Sequence, residues 1–310
     1  MHWFSLDHRK KSSNALVDHL DGKAFRKIAH STSSSKSTVG RHIKETLESL
    51  SDSNLVTVEY CDRFCGIIVV DGKYVKVKGY EKKIPLLWGI DYLTHDLPVF
   101  ILARGESYES WLKYFGWLKR IRYPLQIVIC DDNENIRRAA IYMFPNVHIQ
   151  LCHNHYLENI RKYLKSRTET TYQPFIRDLK KELFSQKLTT AAFQKRAFKL
   201  FHRYKEQERA VYWLMKINED TALLTGASKV VRAPTTTNII ESFNSHLQGR
   251  LKTIKGFESF QSAKQWLNAY ILRRRVTPFT DCTKKFRNLN KKKSLFLTCK
   301  KNAVIPHYFV

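Results

Sequence analysis

A chain of 310 residues with 54 Lys+Arg against 28 Asp+Glu carries a formal charge of +26. That excess is larger than solubility requires and predicts a polyanionic partner whose counterions are released on binding. No stretch reaches the roughly 18 apolar residues of a spanning helix, so a membrane is the poorer partner, and the start MHWFSLDHRKK does not read as a secretory signal.

With 43% apolar residues, the chain is long enough for two or three cores. Cysteines at 61, 65, 130, 152, 282 and 299 show no disulfide-framework spacing. A reducing cytoplasm, in association with the nucleoid, is the expected setting.

Residues 1–58 read as a helix-turn-helix module. Ala24–His30 is a short amphipathic helix, Ser31–Ser35 a polar turn, and Ser35–Leu50 a longer helix with Val39, Ile43, Leu47 and Leu50 on one stripe. The opposite face carries Lys36, Ser37, Arg41 and Lys44, side chains suited to phosphates and base edges in a major groove. A solvated helical hairpin is the plainer alternative.

Beyond a connector at Ser51–Asn54 the pattern turns to strands: Phe64–Val70, Tyr74–Lys78, Leu86–Ile90 and Val99–Ala103. Asp71-Gly72 and Thr94–Pro98 act as turn signals. Ser110–Arg122 follows as a helix, then strand Ile127–Cys130, a helix over about Asn135–Phe144, and strand Val147–Leu151. This order predicts an α/β, ribonuclease H-like core in which the strands bearing Asp71 and Asp131 lie side by side.

Asp71 and Asp131 each end a Val/Ile-rich run, and Glu241 lies in the helix-like Asn238–Leu247. Two Asp and one Glu converging from strand ends and a helix can hold a pair of divalent ions against a phosphodiester. Each acid also has a structural reading: Asp71 as the start of an Asp-Gly hairpin turn, Asp131 and Asp132 as caps of the next helix, and Glu241 as capping-box partner of Asn238. Asp91 reads as a turn residue.

Val70–Tyr74, Ile129–Asp131, Phe144–Asn146, Leu151–His155, and Thr236–Asn244 through Arg250-Leu251-Lys252 together resemble the DDE transposases of insertion sequences, especially the Mutator-like superfamily. The resemblance spans roughly residues 64 to 275. It implies that Asp71, Asp131 and Glu241 are catalytic ligands of Mg²⁺ or Mn²⁺, two ions per site, and that Cys152 and His155 lie beside the pocket with Asn238. It also implies a helical insertion before Glu241, here the Lys-rich Tyr156–Lys229. Asp132 stands where the family usually has Gly, which leaves the choice between the adjacent aspartates open.

The expected division is therefore 59–160 and 233–278 for the two parts of the core, 161–232 for an all-α insertion, and 279–310 for a loosely ordered basic tail. Arg250 and Lys252, with Lys255 and Arg273–Arg275, are expected to extend the cationic surface over double-stranded DNA. Tyr212 and Trp213 are candidates for stacking on unpaired bases, core packing being the simpler role for them. Structural zinc on Cys61, Cys65, Cys152 and His155 is a loose alternative.

The reaction expected from the resemblance is end cleavage and strand transfer by a homo-oligomer assembled on DNA. A nuclease without strand transfer and a non-catalytic DNA-binding regulator are the rival readings.

Overall fold

A computed structural model describes residues 15–305 and Phe309; the opening MHWFSLDHRKK lies outside the described residues. After a helical segment at 15–20 come α1 (Phe25–Ser31), α2 (Lys36–Ser49) and α3 (Ser53–Tyr60), then β1 (Ile67–Val75), β2 (Ile84–Asp91), β3 (Phe100–Leu102), α4 (Tyr108–Arg120), β4 (Ile127–Cys130), α5 (Glu134–Met143) and β5 (His148–Leu151). There follow α6 (His153–Tyr163), α7 (Gln173–Leu179), α8 (Thr190–Tyr204), α9 (Glu208–Glu219), α10 (Thr221–Leu224), α11 (Asn238–Ile254), α12 (Phe260–Val276) and α13 (Ser294–Thr298). The fold is mixed α/β, with one open five-stranded sheet in the order β3-β2-β1-β4-β5. None of the described helices is long and apolar enough to cross a membrane.

The chain divides into two compact units. One comprises the residues up to Cys65, Gly72–Tyr123 and Glu241 onward. Ser35 caps α2 by accepting from the Thr38 amide at 3.1 Å, and Val39 and Ile43 are buried beneath it. Helix α3 was not expected: Asp52 caps it, accepting from Asn54 N at 2.8 Å. Its Asn54 amide donates to Phe100 O (2.9 Å) and accepts from Phe100 N (3.0 Å), so a side chain satisfies backbone groups of the short strand β3. Trp88 and the Trp111, Tyr114 and Phe115 face of α4 are fully buried.

Arg275, expected at the surface, is buried in this unit. Its Nε and Nη2 reach the Asp96 carboxylate at 2.9 and 2.8 Å, and Nη1 donates to Ser53 O and Thr57 Oγ1. The carboxyl-terminal segment, expected as a loose tail, is folded as well. Leu295 is fully buried, Cys61 and Cys299 form a β-bridge, and Thr298 Oγ1 donates to Asp96 at 2.7 Å. A few apolar residues among many lysines suffice to anchor it.

The other unit comprises Gly66–Asp71 and Pro124–Ile240. Here β1 runs parallel to β4, and β4 parallel to β5. All four residues of β4 are buried, as a strand covered on both faces requires. The stretch between β5 and α11 is mostly helical, with Phe175, Leu179, Leu183 and Phe193 inside. At Gly226 a Cβ would lie 2.0 Å from Ile149 O, so only glycine allows the chain this close to β5.

β1 is a single strand through Asp71 and Gly72, which corrects the expected division into two strands about an Asp-Gly turn. Gly72 does not have a left-handed φ; a Cβ there would sit 2.7 Å from Glu106 Oε2, so this glycine makes room for a side chain.

Candidate functional site

The site is built on the middle of β1, at Asp71, and on the carboxyl ends of β4 and β5. Ile67 pairs with Ile127, Ile68 with Val128 and Val69 with Ile129; the same register two residues on sets Asp71 level with Asp131. Cys130 pairs with Leu151, and Cys152 N donates to Cys130 O at 2.7 Å, which continues the edge to Cys152. The carboxyl ends of parallel strands are where open α/β sheets present ligand-binding groups. Burial changes at the same level: Ile67–Val70 are buried, whereas Asp71 and Asp131 are half-exposed.

Asp132 differs from its neighbour. Its carboxylate is ion-paired to Arg137, in the first turns of α5. Asn133 caps that helix, accepting from Asn135 N at 3.0 Å, so neither aspartate is its cap.

The start of α11 is tied to the start of α6. Thr237 donates to Cys152 Sγ through its amide (3.3 Å) and its hydroxyl (3.1 Å), and the hydroxyl lies 3.5 Å from His155 Nδ1. Asn154 Nδ2 donates to Asn238 Oδ1 at 2.8 Å. Burial pushes the Cys152 thiol up, but hydrogen bonds from His155 and Thr237 outweigh it and leave the thiol below the ordinary cysteine range.

Glu241 follows on the same helix, one turn beyond Asn238. The helix begins at Asn238 itself, which makes Asn238 a helical residue rather than the cap of a capping box. Ligand atoms of Cys152 and His155 lie within 4.8 Å of each other. Thr237, the residue that sequence reasoning missed, owes its role to a cysteine 85 positions away.

Among the described residues none of the six cysteines forms a disulfide. Cys61 sits beside Cys299 and Arg275, and Cys65 donates its amide to Asp91 at 2.8 Å. Asp91 is a buried turn residue that also accepts from Thr94 and Tyr123, and burial pushes its carboxyl up.

Of the expected DNA-binding residues, Lys36, Ser37, Arg41 and Lys44 are exposed along α2; Arg41 and Lys44 make loose i,i+4 pairs of 4.0 Å with Glu45 and Glu48. Lys252 is exposed, while Arg250 pairs with Asp21. Trp213 packs edge-on against Tyr156 and Tyr163, a core role, whereas Tyr212 is exposed and stacks on Tyr163 at 5.6 Å.

Compared with known proteins, the chain matches the family described as transposase, Mutator family, over residues 22–275. It is 27% identical over 178 residues to the transposase for insertion sequence element IS256 in transposon Tn4001 of Staphylococcus aureus, and equally to that of Enterococcus faecalis (strain ATCC 700802 / V583). Each alignment covers 56% of this chain and 44% of the relative, so the match spans under half the length of these relatives.

Proposed function

The chain belongs to the Mutator family of transposases, and from that membership we propose that it is a DNA transposase of the DDE type, cutting transposon ends and joining them to target DNA on a ribonuclease H-like core. The observation that carries this reading is the β1–β4 register, which continued two residues beyond Val69 and Ile129 sets Asp71, within β1, level with Asp131, just past the end of β4. Supporting it are the sheet order, with β1 beside β4, and the placement of Glu241 at the head of α11.

The donor chemistry fits Mg²⁺ or Mn²⁺. Carboxylate oxygens are the ligands hard divalent cations prefer, and two half-exposed aspartates at one level provide them. Asp71, Asp131 and Glu241 would hold the ions, and a two-ion site, when loaded, would activate the attacking hydroxyl or water and stabilise the leaving oxygen.

The protein's own groups supply position. Arg137 is ion-paired to Asp132, which gives that carboxylate a structural role. Thr237, through Cys152 and His155, fixes the first turn of α11 and with it the direction of Glu241. On α2, read as the second helix of a helix-turn-helix, Lys36, Arg41 and Lys44 bind the duplex by neutralising phosphates, with the Ser37 hydroxyl as a hydrogen-bonding group. Assembly as a homo-oligomer on paired ends would hold both substrates in one complex.

A joining assay tests the activity. Supercoiled target plasmid, uncut transposon-end duplexes with flanking DNA and Mg²⁺ are incubated with the protein, and cleaved and end-to-target products are sequenced. Joined products with a constant target duplication are expected; cut but never joined ends would leave a nuclease, and neither would leave a DNA-binding regulator.

A further inference from the structure

Away from the strand ends, α11, α12 and the turn after residues 15–20 enclose a cavity of about 440 Å³ lined by Asp21, His246, Gly249, Arg250, Arg273 and Arg274, among others. Three guanidinium groups face it against one carboxylate. Asp21 takes up two of them: Arg273 Nη2 lies 2.8 Å from Oδ2 and Arg250 Nη2 3.9 Å from Oδ1, and Arg250 also donates to the Asp21 carbonyl.

Arg274 is held differently. Its guanidinium lies over the rings of Phe243 and Phe279, 4.8 and 4.9 Å from their centroids, and it makes no hydrogen bond or ion pair among the described residues. The rings position the cation and leave its N–H donors unspent. Planar guanidinium forks match the oxygens of a phosphate and bind it in a bidentate manner.

We propose that this cavity is a phosphate-binding site and that Asp21 is its resident competitor, a carboxylate standing where two phosphate oxygens would go. Asp21 is exposed, so its side chain can swing out without disturbing the core. Displacement leaves three positive charges on the wall. The phosphate can come from a nucleic-acid backbone or from a free phosphate compound. The inference needs neither a metal nor strand cleavage, and it stands or falls apart from the catalytic reading.

The test measures binding on the full chain. Inorganic pyrophosphate is titrated by calorimetry at constant ionic strength, and a short fluorescent duplex by anisotropy across a salt series. Two variants are compared with wild type. Asp21→Asn removes the competitor, and pyrophosphate affinity should rise roughly two- to fivefold, the range of an exposed ion pair. Gly249→Leu fills the cavity from a helical position where an added Cβ meets nothing within 4 Å. Replacing a helical glycine favours the helix, so its melting temperature should not fall.

Gly249→Leu should abolish pyrophosphate binding. If it also lowers the salt slope of duplex binding by about one or two ions, the phosphate is that of the DNA backbone; if the duplex slope is unchanged, the ligand is a free phosphate compound. Pyrophosphate binding that is absent in wild type, or unchanged in both variants, overturns the proposal.

Discussion

Arg275 shows how far a single residue can depart from its sequence context. In the run Arg273-Arg274-Arg275 all three look like surface charge, yet Arg275 is fully buried against an equally buried Asp96. Burial pushes the Asp96 carboxyl up; the Arg275 guanidinium and the hydroxyls of Thr298 and Ser294 more than offset this and hold it below the usual carboxylate range. Removing one partner leaves an uncompensated buried charge. Arg275→Met should therefore destabilise the chain by about 3–5 kcal/mol in denaturant titrations, and a loss under 1 kcal/mol would show that the charge is relieved elsewhere.

His95 gives a second test at this scale. Burial, with the nearby Arg274 and Lys285, holds its pKa down to about 4. The folded state then refuses a proton that the unfolded chain accepts near 6.5, so stability is full above that value and is lost as pH falls from about 6.5 to about 4. The loss is on the order of 3 kcal/mol. His95 has a left-handed φ of +55°, a conformation that asparagine tolerates. His95→Asn should flatten the pH dependence of unfolding over that window, and an unchanged slope would contradict the assignment.

At the scale of elements, periodicity and apolar runs carried most of the fold. The strand expected at Ile127–Cys130 has those bounds, and the helices expected at Ser35–Leu50, Ser110–Arg122 and about Asn135–Phe144 lie within two residues of α2, α4 and α5. Failures came where a local signal competed with a distant contact. Asp-Gly is a strong hairpin signal, but Gly72 is small because Glu106 packs against it. Helix α3 has a capping aspartate, yet only 8 residues and no clear apolar stripe.

The same limit applied to the site. Asp71 and Asp131 were legible because each ends an apolar run, whereas the contact of Thr237 with Cys152 joins elements that nothing local connects. The α2 surface is the element with the clearest prediction. Replacing Lys36, Arg41 and Lys44 together by Ala should weaken duplex binding and reduce the salt slope by about three ions, one for each lost phosphate contact. Unchanged affinity and slope would assign DNA binding to another surface.

For the whole molecule, the excess positive charge is what the proposed nucleic-acid partner calls for, and the chain distributes that charge unevenly. Some cations are spent inside or on pairs, as with Arg275 and Arg273, while α2 keeps its basic face exposed. The proposed activity also depends on a set of acids drawn from both the strand ends and the head of α11, each reached by a different part of the chain.

The most direct measurement is end cleavage by four single variants with Mg²⁺ or Mn²⁺, with duplex affinity and melting temperature recorded for each. Asp71→Asn, Asp131→Asn and Glu241→Gln remove ligand charge with little change of shape and should each lower cleavage by at least about a hundredfold while binding persists. Asp132→Asn, which loses only the Arg137 pair, should keep most of the activity. Full cleavage by Asp131→Asn, or by Asp71→Asn, would contradict the account.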